Sequence, residues 1–380
     1  MREGWCKRKI EEIATITMGQ SPSGNSINET EGVEFHQGKI YFGEKYINES
    51  HFYTSEPIRI AEPNSLLLCV RAPIGVVNMT ARKICIGRGL CSIKANDSIH
   101  SNFLYYALRS QKDYFNKNAT GSTFLAISSN VVKDTQISFP SKDKQIQIAS
   151  ELDKITEMIS KYDEQLKELD KLSQSIFYEM FGDPVENEKG WEVKKLEDVC
   201  VCITDGDHMP PPKADYGVPF VTISNINKEK RMIDFSNTYY VPREYFDKIQ
   251  STRKPQIGDV LYTVTGSYGI PIYIDYETEF CFQRHIGLLR PSVSVSSIFL
   301  YEWALNKGTK YQADNVATGI AQKTVSLKSL RNFDIILPPL PLQQSFARKI
   351  EAIEAMKSKV REAKKEAETL LAARMQYWFE

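Results

Sequence analysis

The chain carries one framework twice. Trp5-Cys6-Lys7-Arg8-Lys9-Ile10-Glu11-Glu12 is answered 186 residues later by Trp191-Glu192-Val193-Lys194-Lys195-Leu196-Glu197-Asp198. The stretch LLLCVRAPIG at 66–75 is answered by VLYTVTGSYG at 260–269, an offset of 194. Cys85-Ile86-Gly87-Arg88 matches Cys281-Phe282-Gln283-Arg284, and Phe103-Leu104-Tyr105 matches Phe299-Leu300-Tyr301, both at 196. Ala119-Thr120-Gly121 and Ala317-Thr318-Gly319 lie 198 apart, as do Phe139-Pro140 with Gln145 and Leu337-Pro338 with Gln343. A drift from 186 to 198 that never breaks the order needs only short insertions, mostly before residue 260. Two copies of one module imply approximate two-fold symmetry. That symmetry suits a ligand with two half-sites, and DNA is the commonest.

Between these landmarks the copies diverge. Residues 20–60 contain Ser21-Pro22-Ser23-Gly24, whereas 205–255 contain Asp205-Gly206-Asp207-His208 followed by Met209-Pro210-Pro211-Pro212, and the two segments share almost nothing. A shared framework with unlike inserts is what two readers of different half-sites need, although duplicated surface loops also diverge without function.

Two segments have helical periodicity. Ile148, Leu152, Ile155, Ile159, Tyr162, Leu166, Leu169, Ser173, Ile176 and Met180 alternate in steps of 4 and 3. This is the seam of a coiled coil, with Glu, Lys, Asp and Gln between. At 1.5 Å per residue the helix is roughly 50 Å long. Ser141 or Asp143 caps its start, and Gly182-Asp183-Pro184 stops it. The second seam, after Leu337-Pro338-Pro339-Leu340-Pro341, runs through Phe346, Ile350, Ile353, Lys357, Val360, Lys364, Ala367 and Leu371. Lysines interrupt it, and Met356, Ala363 and Leu370 offer an alternative stripe. Lys and Arg number 6 against 12 Asp and Glu in 143–190, and 8 against 6 in 343–380. Opposite balance favours pairing the helices, and the symmetric placing of the modules favours an antiparallel pair.

The modules themselves read as mixed α+β. Strands are expected at 65–70, 74–79, 218–223, 259–264 and 270–274, where β-branched and aromatic residues dominate, and short helices at 103–111 and 298–306. The expected organisation is a module over 1–142, a helix over 143–187, a second module over 188–340 and a second helix over 341–380.

Net charge is zero, 48 Lys and Arg against 48 Asp and Glu, which permits contact with nucleic acid without requiring it. The first module carries 17 cations against 13 anions and the second, over 191–342, 17 against 17. No apolar run of about 18 residues is present to span a membrane. The start MREGWCKRK lacks the apolar stretch of a signal peptide. The 7 cysteines form no C-x-x-C pair and read as mostly buried thiols of a reducing cytoplasm.

Groups able to face DNA come from polar side chains in the turns. In the first copy they are Gln37, Lys39, Arg71, Arg82, Lys83 and Arg88. In the second they are His208, Lys213, Thr265, Ser267, Tyr268, Gln283, Arg284 and His285. Arg reads guanine bidentately and Gln reads adenine, while other cations hold phosphates and fix register. Arg88 and Arg284 stand apart because both copies have them, which marks them as framework or phosphate groups as readily as base readers. Any single member of this set could equally be a solvated surface charge.

Catalytic signatures are missing. There is no G-x-x-x-x-G-K-[ST] loop, no G-x-G-x-x-G between a strand and a helix, and no H-E-x-x-H. Met209-Pro210-Pro211-Pro212 lacks the Asn/Asp/Ser-Pro-Pro-aromatic arrangement of an amino-methyltransferase. Asp205-Gly206-Asp207-His208 could form a metal or acid–base cluster, but nothing answers it in the first copy and a turn is the better reading. No metal site is expected.

The layout resembles the specificity subunit of type I restriction–modification systems over essentially the whole chain. The resemblance is carried by the paired Trp5 and Trp191 starts, GDVLYTVTGSYG at 258–269, Ala317-Thr318-Gly319, and Leu337-Pro338-Pro339-Leu340-Pro341-Leu342-Gln343. Phe177-Tyr178-Glu179-Met180-Phe181-Gly182-Asp183-Pro184 at the first helix exit is also typical. The first copy departs from the Pro-Pro-Leu pattern with Phe139-Pro140-Ser141-Lys142-Asp143-Lys144-Gln145. The resemblance implies two target recognition domains joined by two long antiparallel coiled-coil helices, with pseudo-two-fold symmetry. Each domain would read half of a split, asymmetric sequence in double-stranded DNA, and the helices would be the spacer. It further implies a non-catalytic, cytoplasmic chain without a cofactor of its own. Two modification subunits would supply S-adenosylmethionine chemistry, and restriction subunits would use ATP and Mg. A coiled-coil adaptor that never touches DNA, or the specificity half of a fused methyltransferase–nuclease, are the competing readings.

Overall fold

In the computed structural model, which describes residues 2–121, 125–319 and 322–380, the chain forms two compact units. One comprises Met1–Gln165 with Val360–Glu380, the other Leu166–Lys359.

The first unit is built on a four-stranded antiparallel sheet. Its spatial order is Ala14–Met18, Leu90–Ala95, Ser65–Cys69, Val77–Thr80. A second sheet contains the parallel pair Val33–His36 and Ile84–Ile86. A ribbon of Cys6–Lys9 and Gln136–Phe139 closes the base. The second unit repeats this. Its sheet runs Cys200–Asp205, Ile286–Pro291, Val260–Thr263, Pro271–Tyr273. Its parallel pair is Val218–Val221 with Cys281–Phe282, and its ribbon is Glu192–Lys195 with Asp334–Leu337. The duplication read from the landmarks is therefore a duplication of topology, and the fold is α+β.

Expected and observed elements differ in one instructive place. The apolar run at 74–79 becomes a strand only at Val77–Thr80, because Gly75 sits at φ +80° and its N–H turns back to the Cys69 carbonyl. The helices near 103 and 298 are Ser101–Ser110 and Ser297–Leu305. The inserts are also less unlike than their sequences suggest, since both contribute a strand to a parallel pair. Gly32-Val33-Glu34-Phe35 and Gly217-Val218-Pro219-Phe220 open those strands, a G-V-x-F signal that spacing alone could have found. Of the cysteines, Cys69, Cys85, Cys91 and Cys281 are buried, Cys200 and Cys202 are half-buried and Cys6 is exposed.

Both long helices form as their periodicity requires, Lys142–Phe181 and Leu340–Phe379. The first ends at Gly182, in the left-handed region at φ +77°, whose N–H reaches the Tyr178 carbonyl. Every seam position of the first helix is buried or half-buried: Ile148, Leu152, Ile155, Ile159, Tyr162, Leu166, Leu169, Ser173, Ile176 and Met180. The second helix turns Phe346, Ile350, Ile353, Val360, Ala367 and Leu371 inward, and the alternative stripe loses, with Met356 53% and Leu370 45% exposed. Its lysines strengthen the seam instead of interrupting it. Within the first unit Lys364 pairs with Asp163 at 2.6 Å and Arg374 with Glu151, so sequence numbers rise on one helix and fall on the other. Within the second, Lys357 meets Asp170 at 2.6 Å, while Phe346 packs on Phe177 and Phe181. The helix segments are antiparallel in each unit.

The same junction is built twice. Phe181 at the end of the first helix packs edge-on against Phe299, and Phe379 at the end of the second packs on Phe103. Two buried glutamines fix the helix starts. Gln145 accepts from the His100 N–H at 2.7 Å and donates to the Pro140 carbonyl at 2.9 Å. Gln343 accepts from Ser296 N–H at 2.9 Å and donates to the Pro338 carbonyl at 2.8 Å. Burial obliges such a side chain to satisfy its polar atoms, and each glutamine does so with backbone that would otherwise be orphaned. No helix among the described residues is long and apolar enough to cross a membrane.

Candidate nucleic-acid interface

A close approach of two backbones organises one end of each four-stranded sheet. Strand Ala14–Met18 runs into Gly19, where a Cβ would collide with the Gly87 carbonyl, and strand Cys200–Asp205 runs into Gly206, where it would collide with that of Phe282. Only glycine fits either crossing. It presses each strand end against a turn, 87–89 in one unit and 283–285 in the other.

Backbone hydrogen bonds attach further loops to these turns. Val70 N–H donates to Gly89 at 3.0 Å and Val264 N–H to His285 at 2.9 Å, which brings loops 70–75 and 264–269 alongside. Ile127 N–H donates to the Val70 carbonyl and Val325 N–H to that of Val264. Bridges of Arg71 with Ala126 and of Thr265 with Thr324 then draw in the threonine-glycine turns at 120 and 318. Gly89 N–H reaches the Gln37 carbonyl at 3.1 Å, and Gln283 N–H that of Val221 at 3.0 Å.

The structure thus gathers Gln37, Arg71 and Arg88 at one end of the first unit, with Lys39 two residues beyond Gln37. Gln283, Arg284 and His285 gather at the matching end of the second, where Thr265 is buried and its hydroxyl accepts from that of Thr324 at 3.4 Å. Arg88 and Arg284 are exposed, and among the described residues neither forms an ion pair. Gln283 Nε2 contacts His285 Nδ1. Burial, and secondarily the Arg284 guanidinium, hold the His285 imidazole below its ordinary range. At neutral pH it is an uncharged ring with one donor and one acceptor.

Of the remaining candidates, Ser267 and Tyr268 lie in the 264–269 loop at the same end, and His208 follows Asp207, whose carbonyl accepts from the Arg284 N–H at 3.0 Å. Arg82 and Lys83 precede strand Ile84–Ile86, at the opposite end from Arg88. Arg82 is committed to the fold: Nε reaches Glu34 Oε2 at 2.5 Å, Nη2 reaches Oε1 at 2.7 Å, and Nη1 reaches the Ile47 carbonyl at 3.1 Å. Burial pushes the Glu34 carboxyl up, but hydrogen bonds from Arg82, the Ser50 N–H and His36 outweigh it and hold it below the usual carboxylate range. Tyr268 turns its hydroxyl to Asp314 at 2.7 Å, Ser267 gives its carbonyl to Thr263, and Lys213 lies over the Tyr239 ring at 5.0 Å. His208 bonds Asp205 at 2.9 Å. Arg253, which sequence reasoning missed, donates to the carbonyls of Asp205 and Gly206 and pairs with Asp207 at 3.5 Å. The Asp205–Asp207 segment is thus the clamped end of a strand and not the expected turn, with Asp207 bridged to Gln283, and no group of His, Cys, Asp and Glu able to hold a metal ion occurs among the described residues.

Also missed was a second role for the inserts. Lys45 pairs with Asp153 of the first long helix, whose carboxylate accepts from Tyr106 at 2.7 Å and Asn102 at 3.0 Å. Arg231 stands 186 residues later and acts electrostatically on Tyr301 and Glu302. The 186-residue offset of the module starts, carried forward to Lys45, was the available signal.

What converges is guanidinium and amide at the first sheet end, and guanidinium, amide and imidazole at the second. These groups read base edges and grip phosphates.

Comparison with known proteins agrees with this chemistry. The family model described as "Type I restriction modification DNA specificity domain" matches twice, at residues 2–171 and 188–368. The MjaX type I specificity-subunit relative of Methanocaldococcus jannaschii is 36% identical over 168 residues, covering 44% of this chain and only 39% of that relative. The type I restriction enzyme MjaIX specificity subunit of the same organism is 24% identical over 377 residues, covering 90% of this chain and 85% of its own. The crystal structure of a type I restriction–modification S subunit from M. genitalium superposes with a TM-score of 0.58 at 16% identity, covering 98% of this chain and 95% of the other.

Proposed function

Because the chain belongs to the type I restriction–modification DNA specificity family, we propose that it selects a bipartite target in double-stranded DNA, each globular unit reading one half. The observation that carries this reading is the duplicated loop cluster. One glycine crossing and one exposed arginine, Arg88 or Arg284, recur in both units while their neighbours differ. Gln37 and Arg71 on one side, and Gln283 and His285 on the other, offer different hydrogen-bonding patterns, so the two half-sites differ and the whole target is asymmetric. Arg88 and Arg284 hold equivalent phosphates or equivalent bases. The paired long helices act as the spacer whose length sets the gap between half-sites.

The chain itself catalyses nothing under this reading and holds no cofactor. Two modification subunits bring S-adenosylmethionine and methylate adenine, and restriction subunits bring ATP- and Mg-dependent translocation and cleavage. The complex works in the cytoplasm.

The test is a module exchange read by methylation mapping. Replacing residues 1–142 with the corresponding module of another family member should change one half of the N6-methyladenine motif and leave the other half and the gap intact. A motif changed in both halves, or in neither, would overturn the division of labour. Failure of the chain with its modification subunits to shift duplex DNA selectively would favour a coiled-coil adaptor instead.

A further inference from the structure

The two sheet ends are matched in fold but not in charge. Gly75 and Gly269 close the loops beside the arginine turns, both in the left-handed region at φ +80° and +88°. Each lies against a lysine that the landmarks did not include. A Cβ on Gly75 would stand 3.2 Å from Lys112 Cα and Cγ, and one on Gly269 would stand 2.9 Å from Lys310 Cδ. The lysines are 198 residues apart, the offset of the flanking threonine-glycine turns, so they occupy one position of the framework.

Their surroundings differ. Lys112 is exposed, and among the described residues it forms no ion pair. Lys310 pairs with Asp314 and lies 4.0 Å from the centre of the Tyr268 ring, whose hydroxyl also bonds Asp314 at 2.7 Å. The first unit has Asn116 and Ile74 where the second has Asp314 and Tyr268. It also has Arg71, exposed and without an ion pair among the described residues, where the second has the neutral Thr265.

We infer that Arg71 and Lys112 give the first unit two phosphate contacts that the second lacks at the matching positions, where Thr265 is neutral and Lys310 is compensated by Asp314. An unpaired cation gives its whole charge to a phosphate and releases a counterion. Lys310 must share its charge with a carboxylate that itself repels the backbone. This inference rests on the DNA-reading function proposed above and makes the electrostatic part of it unequal between the two units at these positions.

The measurement is the salt dependence of binding by the full chain assembled with its modification subunits, on a duplex carrying the mapped motif and on a scrambled duplex. Each phosphate neutralised adds about 0.9 to the slope of log K against log salt. The double substitution R71Q/K112Q should lower that slope by about 2 on both duplexes. K310Q should leave it nearly unchanged, and D314N, which unburdens Lys310, should raise it by about 1. All four positions are on the surface, and an unchanged unfolding profile confirms that the variants fold. A slope reduced as much by K310Q as by K112Q, or indifferent to R71Q/K112Q while selective binding persists, would overturn the asymmetry. Loss of discrimination between the two duplexes in the parent complex would overturn the underlying function.

Discussion

Glu302 is the sharpest place to test the physical reading of this fold. It is 6% exposed, on helix Ser297–Leu305, and its carboxyl is raised from the ordinary 4.5 to about 7. Burial is the largest cause. Lys357 and Arg231 oppose the rise, and Glu354 and Asp170 add to it. Lys357, 5% exposed, is shared between Asp170 and Glu354 at 2.6 Å each, so it cannot fully compensate Glu302. A carboxyl with a raised folded pKa favours folding while protonated. Its contribution is complete below about pH 4.5 and is lost as pH rises through about 7. The shift of about 2.5 units corresponds to roughly 3 kcal/mol of destabilisation well above neutrality. Glu302→Gln keeps the shape and removes the charge. Thermal unfolding of parent and variant should give nearly coincident midpoints near about pH 4.5 and a gap opening to roughly 6–12 °C by about pH 8.5, the variant being the more stable. Taking the difference between the two proteins cancels every other titrating group. A gap that does not depend on pH, or one that closes with rising pH, would refute the reasoning. The first unit supplies an internal control. The matching pair, Tyr106 and Thr156, is a hydroxyl–hydroxyl contact at 3.2 Å that does not titrate in this range.

Two further outcomes follow from buried polar groups. Gln343→Leu removes partners from the Ser296 N–H and the Pro338 carbonyl, and Gln145→Leu does the same to the His100 N–H and the Pro140 carbonyl. Each should lose about 2–4 kcal/mol in denaturant unfolding, while the exposed Gln147→Leu stays within about 0.5 kcal/mol. Glu34, held low by Arg82, stabilises the fold above the ordinary carboxylate range and loses that contribution as pH falls through its lowered folded value, so Glu34→Gln should flatten the acid limb of the first unit's stability profile. An acid limb of unchanged steepness would show that the Glu34–Arg82 pair adds nothing.

The long elements were legible because their periodicity is redundant. Ten seam positions of the first helix agree on one face, and no local exception could move it. The second seam was harder to read, since Lys357 and Lys364 count against burial in any hydropathy scale. Only the packed fold reveals the carboxylates Asp170 and Asp163 that make them acceptable inside. The candidate site was half legible. Arg88 and Arg284 announce themselves by repetition, but nothing in the local sequence distinguishes Arg82 from Arg88. What separates them is Glu34, 48 residues away in sequence and hydrogen-bonded to Arg82 in space. Lys112 and Lys310 lie on helices, outside the turns where local sequence points to exposed polar groups, and only the packing of Gly75 and Gly269 ties them to the sheet ends.

Which positions can vary between the copies follows from where water is excluded. Gln145 and Gln343 are the same residue because replacing either strands two backbone groups in an apolar junction, a cost no neighbour can relieve. Tyr106 and Glu302 are both buried yet different, and the partner across the contact changed with them: Thr156 in one unit, Glu354 with Lys357 in the other. At the sheet ends no such coupling operates. Gly19 and Gly206 are fixed by the backbone crossing, but Gln37 and Arg71 in the first unit and Arg284 in the second are exposed, and an exposed side chain can be exchanged without disturbing what lies beneath. A framework of this kind lets surface chemistry drift independently in each half, and that independence is what separate recognition of two unlike half-sites requires.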